Sequence, residues 1–290
     1  MSQTPCSDLL ALGTDEEHRV ALYLFGVSGS SSLPGDEFGL TEAQPLRALT
    51  VGSLTAIFCE VAQQEWSGSD SAARLQNLDW LAPRALRHQA ILDRLQAQGA
   101  LLPMRFGCLF SSETALSAWL LTHAEPIRTF LQLAQHHEEW SLKGWLDPAR
   151  TESFLIARDP RFLALSAQPG ARYLQEKRLR QDIGKSIRTF ARSVEKELTA
   201  QLHQLGIRTA SLRALSGEAT GRHQEVVFHH GLLIPSDRIA EIQRMIDEAA
   251  ASQKACGLSL ELTGPWPLYS FIPALDASPS PEQNTPGSVL

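Results

Sequence analysis

The chain has 290 residues, 43% of them hydrophobic, and 26 Lys and Arg against 32 Asp and Glu give a formal net charge of -6. That length can bury a sizeable core and favours two domains over one, while the mild acidity gives no support to general binding of nucleic acid or anionic membranes. The four cysteines, Cys6, Cys59, Cys108 and Cys256, form no CxxC pair, which argues against a cysteine-pair zinc site and a dense disulfide framework and fits a reducing cytosol.

Residues 1–18 read as a loose leader without a basic n-region or a long apolar h-region. No later segment approaches the ~20 apolar residues that span a bilayer, so neither export nor membrane insertion is expected. Arg19 to Val27 is the first strand pattern and runs into a Ser-Gly-rich loop from Ser28 to Gly39. Strands are expected at Leu46–Val51 and Leu54–Val61, the second central in a sheet, and Trp66 to Ser71 is a soft break. Leu81, Ala85, His88, Leu92 and Leu95 form one helical face ending before Gly99, with His88 pointing to the apolar side as a satisfied core histidine. A short extended segment, Leu101 to Gly107, carries Arg105 among apolar neighbours. A helix capped by Ser112 follows toward Ala134, and Pro126 should kink or split it.

The second half opens at Glu138. Alternation puts Trp140, Leu142 and Leu146 on one strand face and Glu139, Ser141, Lys143 and Trp145 on the other. An irregular stretch to Gly170 precedes the longest helix, whose stripe is Leu179, Ile183, Ile187, Phe190, Val194, Leu198, Leu202 and Leu205. Its opposite side bears Arg178, Lys185, Arg188, Arg192 and Lys196. Strands at Ile207–Leu215 and Glu225–Ile234 flank a polar turn from Gly217 to Gly221. Ser236 is expected to cap a helix to about Ala251, and Leu258–Leu262 is the last strand. After it, Thr263-Gly264-Pro265-Trp266-Pro267-Leu268-Tyr269-Ser270-Phe271 should leave the sheet, because proline donates no hydrogen bond. The order strand, helix, strand, strand, helix, strand is ferredoxin-like, βαββαβ. The whole reads as an α+β protein: an N-terminal mixed α+β domain over 1–135, a ferredoxin-like C-terminal domain over 136–275, and a disordered tail over 276–290.

Four segments together resemble the gas vesicle protein F/L family: LPMRFG at Leu102 to Gly107, EWSLK at Glu139 to Lys143, GARYLQEKR at Gly170 to Arg178, and TGPWPLYSF at Thr263 to Phe271. His88 also stands where that family places a histidine. Cys108 replaces a more usual threonine, and Leu268 stands where proline is frequent. The resemblance implies a cytoplasmic, gas-vesicle-associated accessory or minor structural protein that is not an enzyme. Its implied partners are the hydrophobic major shell protein and other gas vesicle accessory proteins, with no cofactor. The residues it singles out, as family-motif positions or candidates for partner contact, are Arg105, Phe106, Trp140, Lys143, Tyr173, Lys177, Arg178, Trp266, Tyr269 and Phe271.

Other chemistry has weaker support in the residues. His136-His137-Glu138-Glu139 and His223, His229 and His230 offer metal donors, but neighbours on a strand face opposite sides and no HExxH spacing occurs, so solvated histidines are expected and no metal site. There is no GxSxG elbow, Walker loop or dinucleotide fingerprint. The basic arc of the long helix reads first as a solvated face, next as a docking surface for acidic groups, and last as an RNA contact. Arg105 is expected to pair with a buried carboxylate across the domain interface. For Trp266, Tyr269 and Phe271, burial against the chain's own sheet is placed ahead of a grip on a partner. The alternative function is a small-ligand-binding protein or enzyme on a ferredoxin-like scaffold.

Overall fold

The computed structural model describes residues 19–29, 38–66, 71–165, 167–213 and 224–275. The leader with Cys6, most of the 28–39 loop, part of the 66–71 break, the 217–221 turn with His223, and the tail from 276 lie outside the described residues. The described residues up to Gln135 and from Ile272 fall into one compact unit, and His136–Phe271 into a second.

In the first unit the apolar run Val20–Ser28 (β1) is buried on both faces, as a central strand must be. It pairs antiparallel with Leu54–Ala62 (β3), which forms a hairpin with Arg47–Val51 (β2) through a turn where Gly52 takes φ 62. Two short helices, Gln63–Trp66 (α1) and Ser71–Gln76 (α2), lead to Leu78–Gln98 (α3). Asn77 caps α3 by accepting from the Asp79 N–H, so the helix starts three residues before the apolar periodicity does. His88, Ile91, Leu92 and Leu95 form its buried side. Leu101–Pro103 (β4) and Leu109–Phe110 (β5) both pair with β1, giving the order β2-β3-β1-β4.

The helix expected from Ser112 is two helices, Glu113–Thr122 (α4) and Ala124–Ala134 (α5). Ser112 Oγ accepts from the Ala115 N–H at 3.2 Å. Pro126 is the third residue of α5, where its missing N–H falls among the donors a first turn leaves unpaired.

The second unit is the ferredoxin-like one. His137–Leu146 (β6), a long helix Pro169–Gln204 (α8), Arg208–Ser211 (β7), Glu225–Pro235 (β8), Ile239–Gln253 (α9) and Leu258–Trp266 (β9) follow the βαββαβ order. The antiparallel sheet runs β7-β8-β6-β9. Leu142, Leu198, Leu202, Phe228, Leu232, Ile234, Ile242 and Ile246 form the core between that sheet and the two helices. The stretch read as irregular holds Pro148–Arg158 (α6) and Pro160–Leu163 (α7), each capped by an aspartate, Asp147 or Asp159, directly before a proline in the first turn. Ser236 does not cap α9. It opens a 3-10 turn, Ser236–Arg238, with no side-chain cap bond, and Arg238 holds the junction instead, donating to Glu241 and to the Leu205 carbonyl at 2.6 Å.

Two further expectations are corrected. Trp145 is only 4% exposed although it keeps the sheet face it shares with Lys143: its indole N–H donates at 2.6 Å to Oε2 of Glu261, the residue that pairs with Lys143 on β9. The chain also does not leave the sheet at Leu262: β9 continues through Pro265 to Trp266, which pairs with Glu139. β9 is an edge strand, so the N–H that Pro265 lacks needs no partner on the open side. A register shift between Glu139 and Ser141 fits the extra residue, and the Gly264–Pro265 peptide is cis.

Candidate interaction surfaces

The motif residues gather in three places. In the first unit, LPMRFG closes over a buried aromatic cluster. Phe106 packs 5.3 Å from Trp66, 5.6 Å from His88 and 5.9 Å from Tyr23, measured between ring centroids. His88 is 3% exposed and lies between two partners: Nε2 is 3.2 Å from the Met104 carbonyl and Nδ1 is 2.9 Å from the Tyr23 hydroxyl. A carbonyl only accepts, so Nε2 carries the proton and Nδ1 accepts from Tyr23. The Gly107 N–H donates in turn to the Tyr23 oxygen at 3.2 Å. Burial drives the His88 pKa down to about 4, against the smaller opposing effect of the Met104 carbonyl. His88 is thus the satisfied core histidine, a neutral link that fastens the loop to α3 and β1.

Arg105 departs from expectation. It is exposed, and its side chain makes no hydrogen bond or ion pair among the described residues. Its neighbours are tied inward, Met104 through its carbonyl on His88 and Phe106 through its ring in the cluster, while Arg105 itself faces solvent.

In the second unit, TGPWPLYSF folds back onto EWSLK. Glu139, on the sheet face away from the core helices, is 5% exposed because the 3-10 turn Tyr269–Phe271 lies over it. Its carboxylate accepts from the Ser270 N–H at 3.0 Å and the Ser270 hydroxyl at 2.5 Å. Burial raises the Glu139 pKa, and the two Ser270 bonds oppose that shift. A Cβ on Gly264 would lie 2.8 Å from the Trp140 ring, so the indole of one motif fills the space the glycine of the other leaves. The Trp140 indole donates to Glu138 Oε2 at 3.1 Å.

The aromatic residues of this segment divide. Leu268 is 3% exposed, and Phe271 is half-buried beneath the Arg208 guanidinium at 5.6 Å. Tyr269 is half-buried. Trp266 is 45% exposed, with its indole N–H on the Thr263 carbonyl at 3.0 Å. The expected burial therefore holds in part for Tyr269 and Phe271 and fails for Trp266, while the aliphatic Leu268 is the side chain that goes inside.

Lys143 faces Glu261 and His229 across neighbouring strands. His229 Nε2 bonds Ser141 Oγ at 2.8 Å, and burial lowers the His229 pKa. The solvated reading of the histidines fails at His230, which is 8% exposed and bonds Glu195 of α8 at 2.8 Å. His229 and His230 are adjacent on β8 and lie on opposite sheet faces, so they do not converge. Among the described residues no group of three or more His, Cys, Asp or Glu is placed to hold a metal ion.

The third place is the start of α8. GARYLQEKR forms its first turns, with Tyr173 66% and Leu174 57% exposed and Lys177 and Arg178 exposed beside them. An open groove of about 510 Å³ is lined by Tyr173, Glu176, Lys177, Arg180 and Gln181. Arg180 is engaged, bridging Glu176 at 3.0 Å and Glu152 of α6 at 3.2 Å. Sequence reasoning passed over Leu174, although its angular position opposite the Leu179-to-Leu205 stripe already marked it as a leucine off the core face.

The family model described as gas vesicle synthesis protein GvpL/GvpF matches residues 21–273. The chain belongs to the GvpL/GvpF family. Gas vesicle protein L2 of Halobacterium salinarum is 24% identical over 264 residues, 87% of this chain and 91% of that protein. Gas vesicle protein F of a Streptomyces species is 26% identical over 260 residues, 87% of this chain and 100% of that one. The crystal structure of GvpF from Anabaena matches the fold with a TM-score of 0.62 at 16% identity, covering 88% of this chain and 98% of the other. GvpF from Microcystis aeruginosa gives 0.59 at 15% identity, with 88% and 99% covered. This GvpL/GvpF chain has no helix among its described residues long and apolar enough to cross a membrane.

Proposed function

We propose that the chain is a non-enzymatic accessory protein of gas vesicle assembly. It acts in the cytoplasm, at the growing vesicle, by holding the hydrophobic shell protein and other assembly factors. One observation carries the reading: the family-motif segment of α8 leaves Tyr173 and Leu174 largely exposed, while no residue of the Leu179-to-Leu205 stripe is exposed. Apolar groups left this exposed are suited to anchoring another chain. Trp266 is a second such anchor, and its indole N–H is already satisfied internally, so it offers a partner chiefly apolar ring. The enzyme alternative loses support because His229 and His230 face apart, and Glu138 and Glu139 are engaged by Trp140 and Ser270. The test is a pull-down of the purified chain with the shell protein, comparing wild type with the Tyr173→Ser/Leu174→Ser double variant. The double variant should melt as wild type does and lose most of its retention. Equal retention by the two proteins would sink the reading.

A further inference from the structure

The charges of α8 are segregated in a way the anchoring role does not use. The helix carries eight Lys and Arg against four Asp and Glu in a chain whose net charge is -6. Three of the four acids are engaged: Glu176 with Arg180, Asp182 with Arg161, and Glu195 with His230. Lys177, Arg178, Lys185, Arg188, Arg192 and Lys196 are all exposed, and none makes an ion pair among the described residues. Exposed arginines elsewhere do find acids, as Arg47, Arg128 and Arg161 show. At about 100° per residue, the six unmatched cations fall within an arc of roughly 100°, opposite the buried stripe, over about 28 Å of helix.

We infer that this strip is a docking surface for an acidic helix of a partner protein. The occupant follows from charge and spacing. From Arg178 the cations recur at steps of 7, 3, 4 and 4 residues, so a helix lying alongside with carboxylates at the same steps meets each cation in register. A nucleic acid fits less well. The strip is a single row with one exposed aromatic, Tyr173, at its start and none along its length, and the rest of the chain is acidic enough to repel a polyanion that extends past it. An anionic bilayer also fits less well, since the strip holds one exposed leucine, Leu174, where an interfacial helix needs an apolar face. The inference stands apart from the shell-protein reading, because the strip's cations beyond Arg178 lie outside the Tyr173–Leu174 surface.

The test uses the full chain and a fluorescent alanine-based peptide of about 20 residues with glutamates on one face at steps of 7, 3, 4 and 4. An isomer with the same glutamates spread around the helix, a 20-nucleotide RNA and phosphatidylglycerol vesicles are compared with it. The aligned peptide should bind at least about tenfold tighter than the isomer and weaken several-fold between 50 and 300 mM salt, both orders of magnitude set by screened surface pairs. The variant Lys185→Glu/Arg188→Glu/Arg192→Glu/Lys196→Glu should lose about 30-fold or more. A control, Arg172→Glu/Arg244→Glu, reverses exposed cations off the strip and should stay within twofold, with melting curves confirming that both variants fold. Absence of binding, equal binding of the two peptides, indifference to the four reversals, or tighter binding of RNA or vesicles than of the aligned peptide overturns the inference.

Discussion

Acidification should weaken the first unit through His88. In the folded chain its pKa is about 4, against an ordinary value of 6.5. A histidine whose folded pKa is depressed contributes stability that is present above pH 6.5 and is lost as pH falls through its folded value. Protonation puts a charge at a site that is 3% exposed and places a new N–H donor on Nδ1, where the Tyr23 hydroxyl already donates. Linkage between the two values gives a loss of about 2 kcal/mol between pH 7 and pH 4.5, or roughly 8 °C in melting temperature for a unit of this size. His88→Gln tests the assignment. Its amide can donate to the Met104 carbonyl and accept from Tyr23 but does not titrate, so the variant should start somewhat less stable at pH 7 and lose less on acidification. The assay is thermal melting from pH 7 to 4.5 followed by tryptophan fluorescence, with amide exchange on β1 and α3 to locate the change. Parallel pH curves for wild type and variant would refute the reasoning.

Glu139 should act in the opposite sense. A raised carboxyl contributes stability that is full below the ordinary carboxylate range and falls as pH rises through its folded pKa, so Glu139→Gln should flatten that slope in amide exchange of β9 and the Tyr269–Phe271 turn. Leu268→Ala, at a site 3% exposed, should cost about 2–4 kcal/mol in denaturant unfolding; Trp266→Ala, at 45% exposure, should cost under about 1 kcal/mol. A larger loss at Trp266 than at Leu268 would show that the indole braces the unit after all. Gly144→Ala puts a methyl 2.4 Å from the Phe228 ring and should cost about 1–3 kcal/mol; Phe228→Leu in the same chain should recover part of it, whereas additive losses would exclude the clash as the cause.

What the sequence discloses follows from which interactions are local. The stripe from Leu179 to Leu205 and the face from His88 to Leu95 are fixed by 3.6-residue periodicity, and the observed helices bury those faces. The βαββαβ order followed from counting elements, since the apolar patterns of β6, β8 and β9 survive in the chain as runs. Two helices were missed although their signal is also local: Asp147-Pro148 and Asp159-Pro160 each combine a cap with a helix-starting proline. The errors in the site have a different origin. Trp145 is buried on the face it shares with Lys143, with its indole on Glu261, a residue 116 positions later on β9. His230 is buried because Glu195 lies on α8, 35 residues earlier in the chain. Neither fact has a trace in the residues next to it.

The segment from Thr263 to Phe271 shows why burial and presentation need not compete within one motif. Proline at Pro265 and Pro267 limits backbone freedom on both sides of Trp266. The Glu139–Ser270 bonds fix the far end of the segment, and the Gly264 contact with the Trp140 ring fixes the near end. The side chains that do this work, Leu268 and Ser270, are therefore the cause of the order at Trp266 rather than alternatives to it. The indole N–H bond to the Thr263 carbonyl then restricts the ring itself. An exposed aromatic ordered in advance loses less conformational entropy on docking than one on a free loop, by about 0.5–1.5 kcal/mol for a single side chain. Loosening the tether should thus weaken a contact made by Trp266 even though Glu139 never touches the partner. On that account Glu139→Ala reduces binding through disorder at Trp266, and a Trp266→Ala background should abolish the effect of the Glu139 change.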